Sequence, residues 1–300
     1  MSNSAASVTV GFIGVGKMGL PMVTHLRAAG YHVIACDPVH ANVEAARLLG
    51  CEGAETVGGC ASQADILLSS LPNDAALTAI TSGADGVFAH AKRGMIYADT
   101  STVSPAVSAD VAARAALANV AYVRATVSGN PVSAKAAVLT VMASGPQDAY
   151  ARVKPLLETF GKTHFYLGQG EQARVIKLVI NLMIAGTAGL MAEALTLGEK
   201  GGLDWKQMLD IMHKSAAGSP MVGYKVPPLL ERDYSSTFSG LQMIKDLDLI
   251  LGEGARSGVP LALTAQVRQM YEAIRAQGDG ELDYIATVRL IERMAGLVHN

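Results

Sequence analysis

Two segments of this 300-residue chain combine residue types and spacings that could do chemistry. The first is GFIGVGKMGLPM at residues 11–22, which is glycine-rich and permits two phosphate-binding interpretations. Read from its first glycine, it has the G-x-x-x-x-G-K of a triphosphate-binding loop. Read from Gly14 through Gly16 to Gly19, it has the G-x-G-x-x-G of a dinucleotide-binding turn. The residues around the turn have to decide between the two.

The triphosphate interpretation lacks a metal ligand, because such a loop places Ser or Thr after its lysine and Met18 follows Lys17 here. The apolar run MIYAD at 95–99 ends in an acid, as a second nucleotide-hydrolase element does, but such strands are common in α/β proteins. The dinucleotide interpretation gains a partner in Asp37, which lies 18 residues after Gly19, close to the ~20 expected for an acid that binds the ribose. The sequence therefore favours a dinucleotide, with its pyrophosphate at a helix N-terminus.

The second segment is QARVIKLVIN at residues 172–181, in which polar side chains interrupt an apolar run. Lys177 and Asn181 are four residues apart, so on a helix they project from the same face. A lysine among apolar neighbours can act as a general acid or base when its surroundings favour the neutral form. The alternative is a structural lysine whose stem lies along apolar surface near the helix start.

Composition excludes several other classes of site and partner. The seven histidines show no His-x-x-x-His spacing and the three cysteines no Cys-x-x-Cys spacing, so no metal site or disulfide framework is predicted. A reduced, cytoplasmic setting is expected. The net charge is -2 and no run of Lys and Arg forms a stripe, which argues against a nucleic-acid partner.

Two kinds of sequence pattern must position these residues. Up to Gly168, short β-branched runs alternate with Ala-rich helical segments, which is typical of a largely parallel sheet covered on both faces. The strand-like runs are 8–14, 32–37, 65–72, 94–101, 120–127, 138–144 and 163–168. After them only helical periodicity remains, at 171–200, 204–215, 220–231, 238–257, 260–277 and 281–298. We predict an α/β fold, with a Rossmann-like, doubly wound domain over 1–168 and an all-helical domain over 169–300.

The apolar stretch at 175–197 is the one candidate for a membrane span. Its longest uncharged window, Leu178 to Ala192, has 15 residues, fewer than the roughly 20 that cross a bilayer. The first ten residues lack the basic region of a signal peptide. We therefore expect a helix buried in protein and no membrane partner.

Nearly the whole chain resembles the β-hydroxyacid dehydrogenase family, which includes 3-hydroxyisobutyrate dehydrogenases and tartronate semialdehyde reductases. Five motifs carry the resemblance, in family-like order and spacing: GFIGVGKMGLPM, DTSTVSP at 99–105, VSGN at 127–130, QARVIKLVIN, and QMIKDLDL at 242–249. The family architecture is a Rossmann-like domain followed by a helical one, which agrees with the patterns above.

The resemblance implies a role for several residues. Lys177 would be the catalytic residue, Asn181 would orient substrate beside it, and Ser128 and Gly129 would bind substrate. Thr102 would contact the nicotinamide ribose. The full set of expected cofactor contacts is Gly14, Gly16, Lys17, Met18, Gly19, Asp37, Leu71, Pro72, Thr102 and Lys245.

The implied activity is hydride transfer between nicotinamide and the carbonyl carbon of a small aldehyde or keto acid. NAD is expected in preference to NADP, because Asp37 would face a 2′-phosphate as a like charge and Pro38 stands where NADP-using relatives commonly have Arg. A homodimer formed by the helical domains, or a larger homo-oligomer built from such dimers, is also expected. Two alternatives remain: an imine-reducing relative, in which the lysine position usually holds another residue, and a nicotinamide-sensing module without turnover.

The substrate segment departs from the family pattern. It has R-A-T-V-S-G-N from Arg124 to Asn130 where many relatives have D-A-P-V-S-G-G, and Ser133 and Ala137 stand at later glycine positions. Asn130 adds a donor and an acceptor, which predicts a carboxylate substrate with an extra polar group. The alternative is that Asn130 only adopts the left-handed turn conformation that Gly would otherwise take.

Overall fold

The computed structural model describes residues 8–297 and residue 299 of the chain. The polypeptide forms two compact units, which divide between Lys177 and Leu178. The strand patterns of the sequence stop earlier, after Gly168, and the division lies inside the long helix Gln172–Lys200. That helix therefore begins in the first unit and continues in the second.

The first unit contains one eight-stranded sheet. All seven predicted strands are present: five lie within their predicted bounds, β6 ends one residue later at Ser128, and β8 begins two residues earlier at Gly161. The additional strand has only two residues, too few to leave a periodic pattern. The strands are β1 (Thr9–Ile13), β2 (His32–Cys36), β3 (Glu52–Gly53), β4 (Ile66–Ser69), β5 (Ile96–Asp99), β6 (Ala121–Ser128), β7 (Leu139–Ser144) and β8 (Gly161–Tyr166).

The strand order is β3-β2-β1-β4-β5-β6-β7-β8. Strands β1 to β6 are parallel, β7 is antiparallel to β6, and β8 is parallel to β7. The chain moves outward from β1 to β3 and then crosses to β4, so the order reverses between β1 and β4. Ligands of such sheets bind at this reversal, beyond the carboxyl ends of the strands. The predicted doubly wound, largely parallel fold is confirmed.

Both faces of this sheet are buried. Phe12 of β1 and Leu68 of β4 enter one apolar cluster, and Ile13 and Leu67, their neighbours in the chain, enter another. Because successive strand residues point to opposite faces, a strand covered on both sides has a continuous apolar sequence. This is why the strands could be predicted as apolar runs and the polar residues at their ends stand out.

Among the described residues of the first unit there are eight helices, in addition to the start of the long one. Asn73 caps the helix that follows β4, and Ser104 caps the helix that follows β5. These caps define the residue at which each loop ends and its helix begins. The helices are α1 (Gly19–Ala28), α2 (His40–Leu48), α3 (Val57–Ala61), α4 (Asp74–Thr81), α5 (Val87–His90), α6 (Pro105–Leu117), α7 (Pro131–Lys135) and α8 (Gln147–Leu157).

Helices make up the regular secondary structure of the second unit in the residues described, apart from one isolated bridge between Ser239 and Asp283. Its helices are α9 (Gln172–Lys200, from Leu178 onward), α10 (Trp205–Lys214), α11 (Pro220–Leu230), α12 (Gly240–Ser257), α13 (Ala262–Ala276) and α14 (Thr287–Met294). Five of the six predicted helices end within two residues of their expected bounds.

The sixth prediction, a helix over 281–298, is wrong at both ends. A 3-10 turn at Tyr284–Ala286 precedes α14, which ends at Met294, and residue 298 lies outside the described residues. Asp283 explains the late start, because its carboxylate accepts hydrogen bonds from Lys225 Nζ at 2.6 Å and from Ile285 N at 3.1 Å. These bonds hold the chain in the turn before the helix begins.

Helix α9 is also long and apolar enough to cross a bilayer, judged by length and composition. Its most apolar window has a mean hydropathy of 1.9, and 39% of that window is buried inside the protein. The core helix of a protein meets the same criteria. The expectation that α9 packs in protein stays a prediction.

Candidate active site

The turn between β1 and α1 requires glycine at two of its positions, because a side chain there would clash with the backbone. Gly14 has φ +87°, and a Cβ on it would lie 2.3 Å from Ser70 O. A Cβ on Gly19 would lie 2.0 Å from Gly14 O. The space beside Gly16 is different, because a Cβ there would meet only Asn42 Nδ2, at 3.9 Å. The turn is therefore closed by Gly14 and Gly19 and open at Gly16, where a pyrophosphate can approach the backbone.

The N-terminus of α1 fits an anion. Met18 occupies the capping position, and no side chain caps the helix there. The first N–H groups of a helix have no partner within it and carry a partial positive charge. Lys17 is exposed beside them. This end of α1 can therefore hold the pyrophosphate of a dinucleotide.

Asp37 directly follows β2, and three hydrogen bonds hold its carboxylate beside the turn. Oδ2 accepts from Val15 N at 2.9 Å, and Oδ1 accepts from Val39 N at 2.9 Å and from Asn42 Nδ2 at 3.1 Å. A carboxylate can accept about four hydrogen bonds, so capacity remains for a ribose hydroxyl. These residues therefore fit the pyrophosphate and one ribose of a dinucleotide.

The loops after β4 and β5 meet the same edge of the sheet. Leu71 N donates to Ser101 Oγ at 2.8 Å, and Leu71 Cδ2 lies 3.5 Å from where a Cβ on Gly14 would be. Thr102 follows Ser101 and is half-buried, whereas Pro72 is exposed. The structure thus places Leu71 beside the glycine turn and Thr102 next to a residue that contacts Leu71.

The substrate segment begins where β6 ends, at Ser128. Gly129 has φ +133°, and a Cβ there would lie 2.6 Å from Leu139 Cδ2, so glycine is required. Asn130 has φ -121° and is extended, so the left-handed alternative is wrong. Its Oδ1 accepts from Ser133 N at 3.0 Å and caps α7. The sequence contains a signal for this cap, because Asn before Pro is typical of a helix start.

The start of α9 runs along β6. Arg124 forms an ion pair with Glu171, and two residues further along β6, Thr126 Oγ1 donates to Ala173 O at 2.9 Å. Ser128 is the next residue on the same face of the strand, and Lys177 is one helical turn beyond Ala173. The strand and the start of the helix therefore run side by side, in the direction of Ser128 and Lys177.

Sequence reasoning missed one residue at this place, Arg174. Its side chain is fully buried, and its Nη2 lies 2.5 Å from Oδ2 of Asp99, which is also fully buried. Burial opposes the charge of Arg174, but Tyr122 and Asp99 outweigh burial and raise its pKa. The available signal was a cation three residues before Lys177 in an apolar run, together with an acid at the end of a buried strand.

Two further predicted residues, Asn181 and Lys245, both contact Asp246 within the second unit. Asn181 Nδ2 donates to Asp246 Oδ2 at 2.5 Å, and Lys245 Nζ lies 2.6 Å from Asp246 Oδ1. Asn181 and Asp246 are buried. Asp246 thereby orients the amide of Asn181 and holds the ammonium group of Lys245.

Two family models match the chain. The NAD binding domain of 6-phosphogluconate dehydrogenase matches residues 9–168, and the domain described as NAD-binding of NADP-dependent 3-hydroxyisobutyrate dehydrogenase matches residues 169–291. The chain is also 34% identical over 292 residues to 2-(hydroxymethyl)glutarate dehydrogenase of Eubacterium barkeri, which covers 97% of each chain.

Solved structures give the same result. The 3-hydroxyisobutyrate dehydrogenase of Mycobacterium tuberculosis with L-serine has a TM-score of 0.86 at 26% identity, covering 95% of this chain and 99% of that one. An imine reductase from Pseudomonas sp. has a TM-score of 0.62 at 20% identity, covering 94% and 98%, and shares the fold alone. This chain therefore belongs to the β-hydroxyacid dehydrogenase family of nicotinamide-dependent oxidoreductases.

Proposed function

We propose that this member of the family transfers hydride between NAD and a small 3-hydroxy acid or its semialdehyde that carries a carboxylate, with Lys177 moving the proton. One observation carries the proposal. The first turn of α9 contacts β6, which ends at Ser128, and through Arg174 the loop that holds Thr102. Lys177 stands one turn beyond these contacts, at the place where a bound substrate and the nicotinamide would meet.

Each residue has a distinct task in this proposal. The bound nicotinamide supplies or accepts the hydride. The Ser128 hydroxyl and the main-chain N–H groups beside Gly129 bind the substrate carboxylate. Lys177 donates a proton to the substrate oxygen in reduction and removes it in oxidation. Asn181, oriented by Asp246, donates or accepts a hydrogen bond that holds the same oxygen.

The proposal for NAD depends on Asp37, whose fixed carboxylate suits ribose hydroxyls and repels a 2′-phosphate. The substrate proposal depends on Asn130. Its Oδ1 is used to cap α7, so Nδ2 is the atom that can donate to an extra polar group on the substrate. The name of the Eubacterium barkeri relative, which acts on a hydroxymethyl diacid, agrees with a substrate that has such a group.

We further propose that the protein works as a homodimer in the cytoplasm, away from membranes and nucleic acid. Support for the dimer comes from apolar side chains exposed along α9, including Met183 at 63% and Leu190 at 68%. Support for a reducing compartment comes from the three cysteines, Cys36, Cys51 and Cys60, which are free and buried.

A substrate panel tests the proposed activity. C3 to C5 hydroxy acids and semialdehydes are mixed with NAD or its reduced form, and the absorbance of reduced nicotinamide is followed. We expect turnover by the wild-type protein and a kcat lower by about 100-fold or more in Lys177→Met, since a general acid-base residue contributes at least that much. Lys162→Met, which removes an exposed lysine of β8, is the matched control and should retain full activity.

Binding of NAD by Lys177→Met, measured by calorimetry, should equal that of the wild type. Near-normal turnover in this variant would contradict the proposed role of Lys177. Binding of NAD without turnover of any acid by the wild type would identify a sensing module instead. Turnover of cyclic imines in place of hydroxy acids would identify an imine-reducing enzyme.

A further inference from the structure

A fully buried guanidinium lies within the first turn of α9. All three guanidinium nitrogens of Arg174 donate hydrogen bonds. Nη2 donates to Asp99 Oδ2 at 2.5 Å and to Tyr122 OH at 2.7 Å. Nη1 donates to Ser101 O at 2.7 Å, and Nε donates to Ser108 Oγ at 3.1 Å. These partners lie on β5, on the loop after it, on α6 and on β6. One side chain therefore connects α9 to four neighbouring segments.

Asp99, the acid at the end of β5, is also hydrogen-bonded through its other carboxylate oxygen. Asp99 Oδ1 accepts from Ser69 Oγ at 2.5 Å and from Ser101 Oγ at 2.6 Å. Ser69 in turn contacts Tyr97 OH at 2.8 Å. These bonds occupy the carboxylate, so the acid that ends MIYAD serves the interior of this unit and not a nucleotide-bound metal.

Burying the charges of Arg174 and Asp99 costs free energy. A buried charge is costly unless it is paired and its hydrogen bonds are satisfied, and an apolar replacement is often as stable. The planar fork of an arginine, however, fixes direction as well as distance when several of its donors are used. The contacts of Arg174 therefore constrain where the first turn of α9 lies and how it is rotated.

The constraint on the first turn of α9 affects two residues of the proposed reaction, Thr102 and Lys177. Ser101, whose carbonyl accepts from Arg174, is adjacent to Thr102, and Lys177 lies three residues after Arg174, about 4.5 Å along the helix axis. We propose that Arg174 is a positioning residue, which fixes Lys177 relative to the loop that carries Thr102. The inference rests on the proposed function of Lys177.

The test separates positioning from simple support of the fold. Arg174→Met removes the whole set of bonds, and Arg174→Lys keeps a cation for Asp99 but cannot reach the carbonyl of Ser101, Tyr122 and Ser108 together. The control is Lys225→Met, which breaks another buried ion pair, between Lys225 and Asp283, both 3% exposed, within the second unit. For each variant, the melting temperature, kcat, both KM values and the isotope effect with deuterated cofactor are measured below its melting temperature.

We expect Arg174→Met to lower kcat by about 100-fold, because a displacement of about 1 Å at a reacting group costs that much, while the KM of NAD changes little. The isotope effect should rise as hydride transfer becomes slower. Arg174→Lys should recover melting temperature more than kcat. Lys225→Met should lose melting temperature and keep kcat.

Two results would overturn the proposal. One is a folded Arg174→Met with the kcat and isotope effect of the wild type; if that variant does not fold, a wild-type kcat in Arg174→Lys has the same meaning. The other is a loss of kcat that follows melting temperature equally in the Arg174 and Lys225 variants. Failure of the proposed function is a separate result, since it would appear as turnover that survives Lys177→Met.

Discussion

Asp37 is the residue on which the proposed preference for NAD depends. Its position is fixed by hydrogen bonds from Val15 N, Val39 N and Asn42, so it cannot move far from an added phosphate. At contact distance, a carboxylate and a 2′-phosphate repel each other by on the order of 1 to 4 kcal/mol. The proposed preference for NAD over NADP rests on this repulsion.

We expect Asp37→Asn to raise the ratio of kcat/KM with NADP to kcat/KM with NAD by about tenfold or more, since 1.4 kcal/mol corresponds to about a factor of ten. Asparagine keeps the size of the side chain, so the change reports charge. Asp65→Asn is the matched control, because Asp65 also accepts a backbone N–H, from Thr9 at 2.9 Å, but precedes β4 at the opposite edge of the sheet. An unchanged ratio in Asp37→Asn, or a wild type that prefers NADP, would refute the assignment.

Single residues differed in how far their environment could be predicted from sequence. Gly14, Gly19 and Asp37 act through local geometry, so their spacing in the sequence was enough. The partners of Arg174 are as many as 75 residues away, and no local pattern relates a cation in a helix to an acid on a strand at that separation. Asn130 was interpreted by type alone, and its backbone conformation was needed to reveal the cap.

Helix α7 begins after Asn130, a side chain that caps the helix and that we also propose to bind substrate. Asn130 accepts from Ser133 N and Ser133 Oγ, while its Nδ2 can donate to a ligand. Serine at this position can also cap a helix but has no amide to donate, and glycine costs a cap only a few tenths of a kcal/mol. The two substitutions therefore separate capping from recognition.

If Asn130 recognises substrate, Asn130→Ser and Asn130→Gly should both shift the preference within the acid panel toward aliphatic acids, by about tenfold for the loss of one hydrogen bond. The melting temperature should change little in Asn130→Ser. Asn130→Asp, which keeps the cap and adds a negative charge, should weaken all carboxylate substrates. An unchanged ranking of acids in both Asn130→Ser and Asn130→Gly would leave the cap as the role of this residue.

The elements themselves followed closely from the sequence where one physical cause dominated. Strands covered on both faces have continuous apolar sequences, and α10 to α13 have clear helical periodicity, so their bounds were predicted well. β3 was missed because two residues carry no period. The start of α14 was misplaced because Asp283 is bound by Lys225, from a segment 58 residues earlier in the chain. Errors therefore occur where an element is too short to show a period, or where a distant side chain decides a local structure.

At the scale of the whole molecule, α9 leaves an apolar stripe uncovered. Val179, Met183, Leu190 and Leu197 are exposed by 49%, 63%, 68% and 75%. Their spacings of four, seven and seven residues place them on one face of a helix that turns 100° per residue. Contiguous exposed apolar surface of this kind is uncommon on monomers and is typical of an interface.

We therefore expect light scattering at micromolar concentration to give twice the 31.2 kDa of one chain. Leu190→Glu should raise the dissociation constant of the dimer by about 100-fold or more, because each protomer would bury an unpaired carboxylate, which costs several kcal/mol. Leu117→Glu is the matched control, since Leu117 is 86% exposed but lies on α6 of the first unit, away from the stripe. A wild type of 31.2 kDa would reject the dimer. A dimer weakened equally by both substitutions would place the interface elsewhere, and a monomeric Leu190→Glu that retains kcat would show that each subunit holds a complete active site.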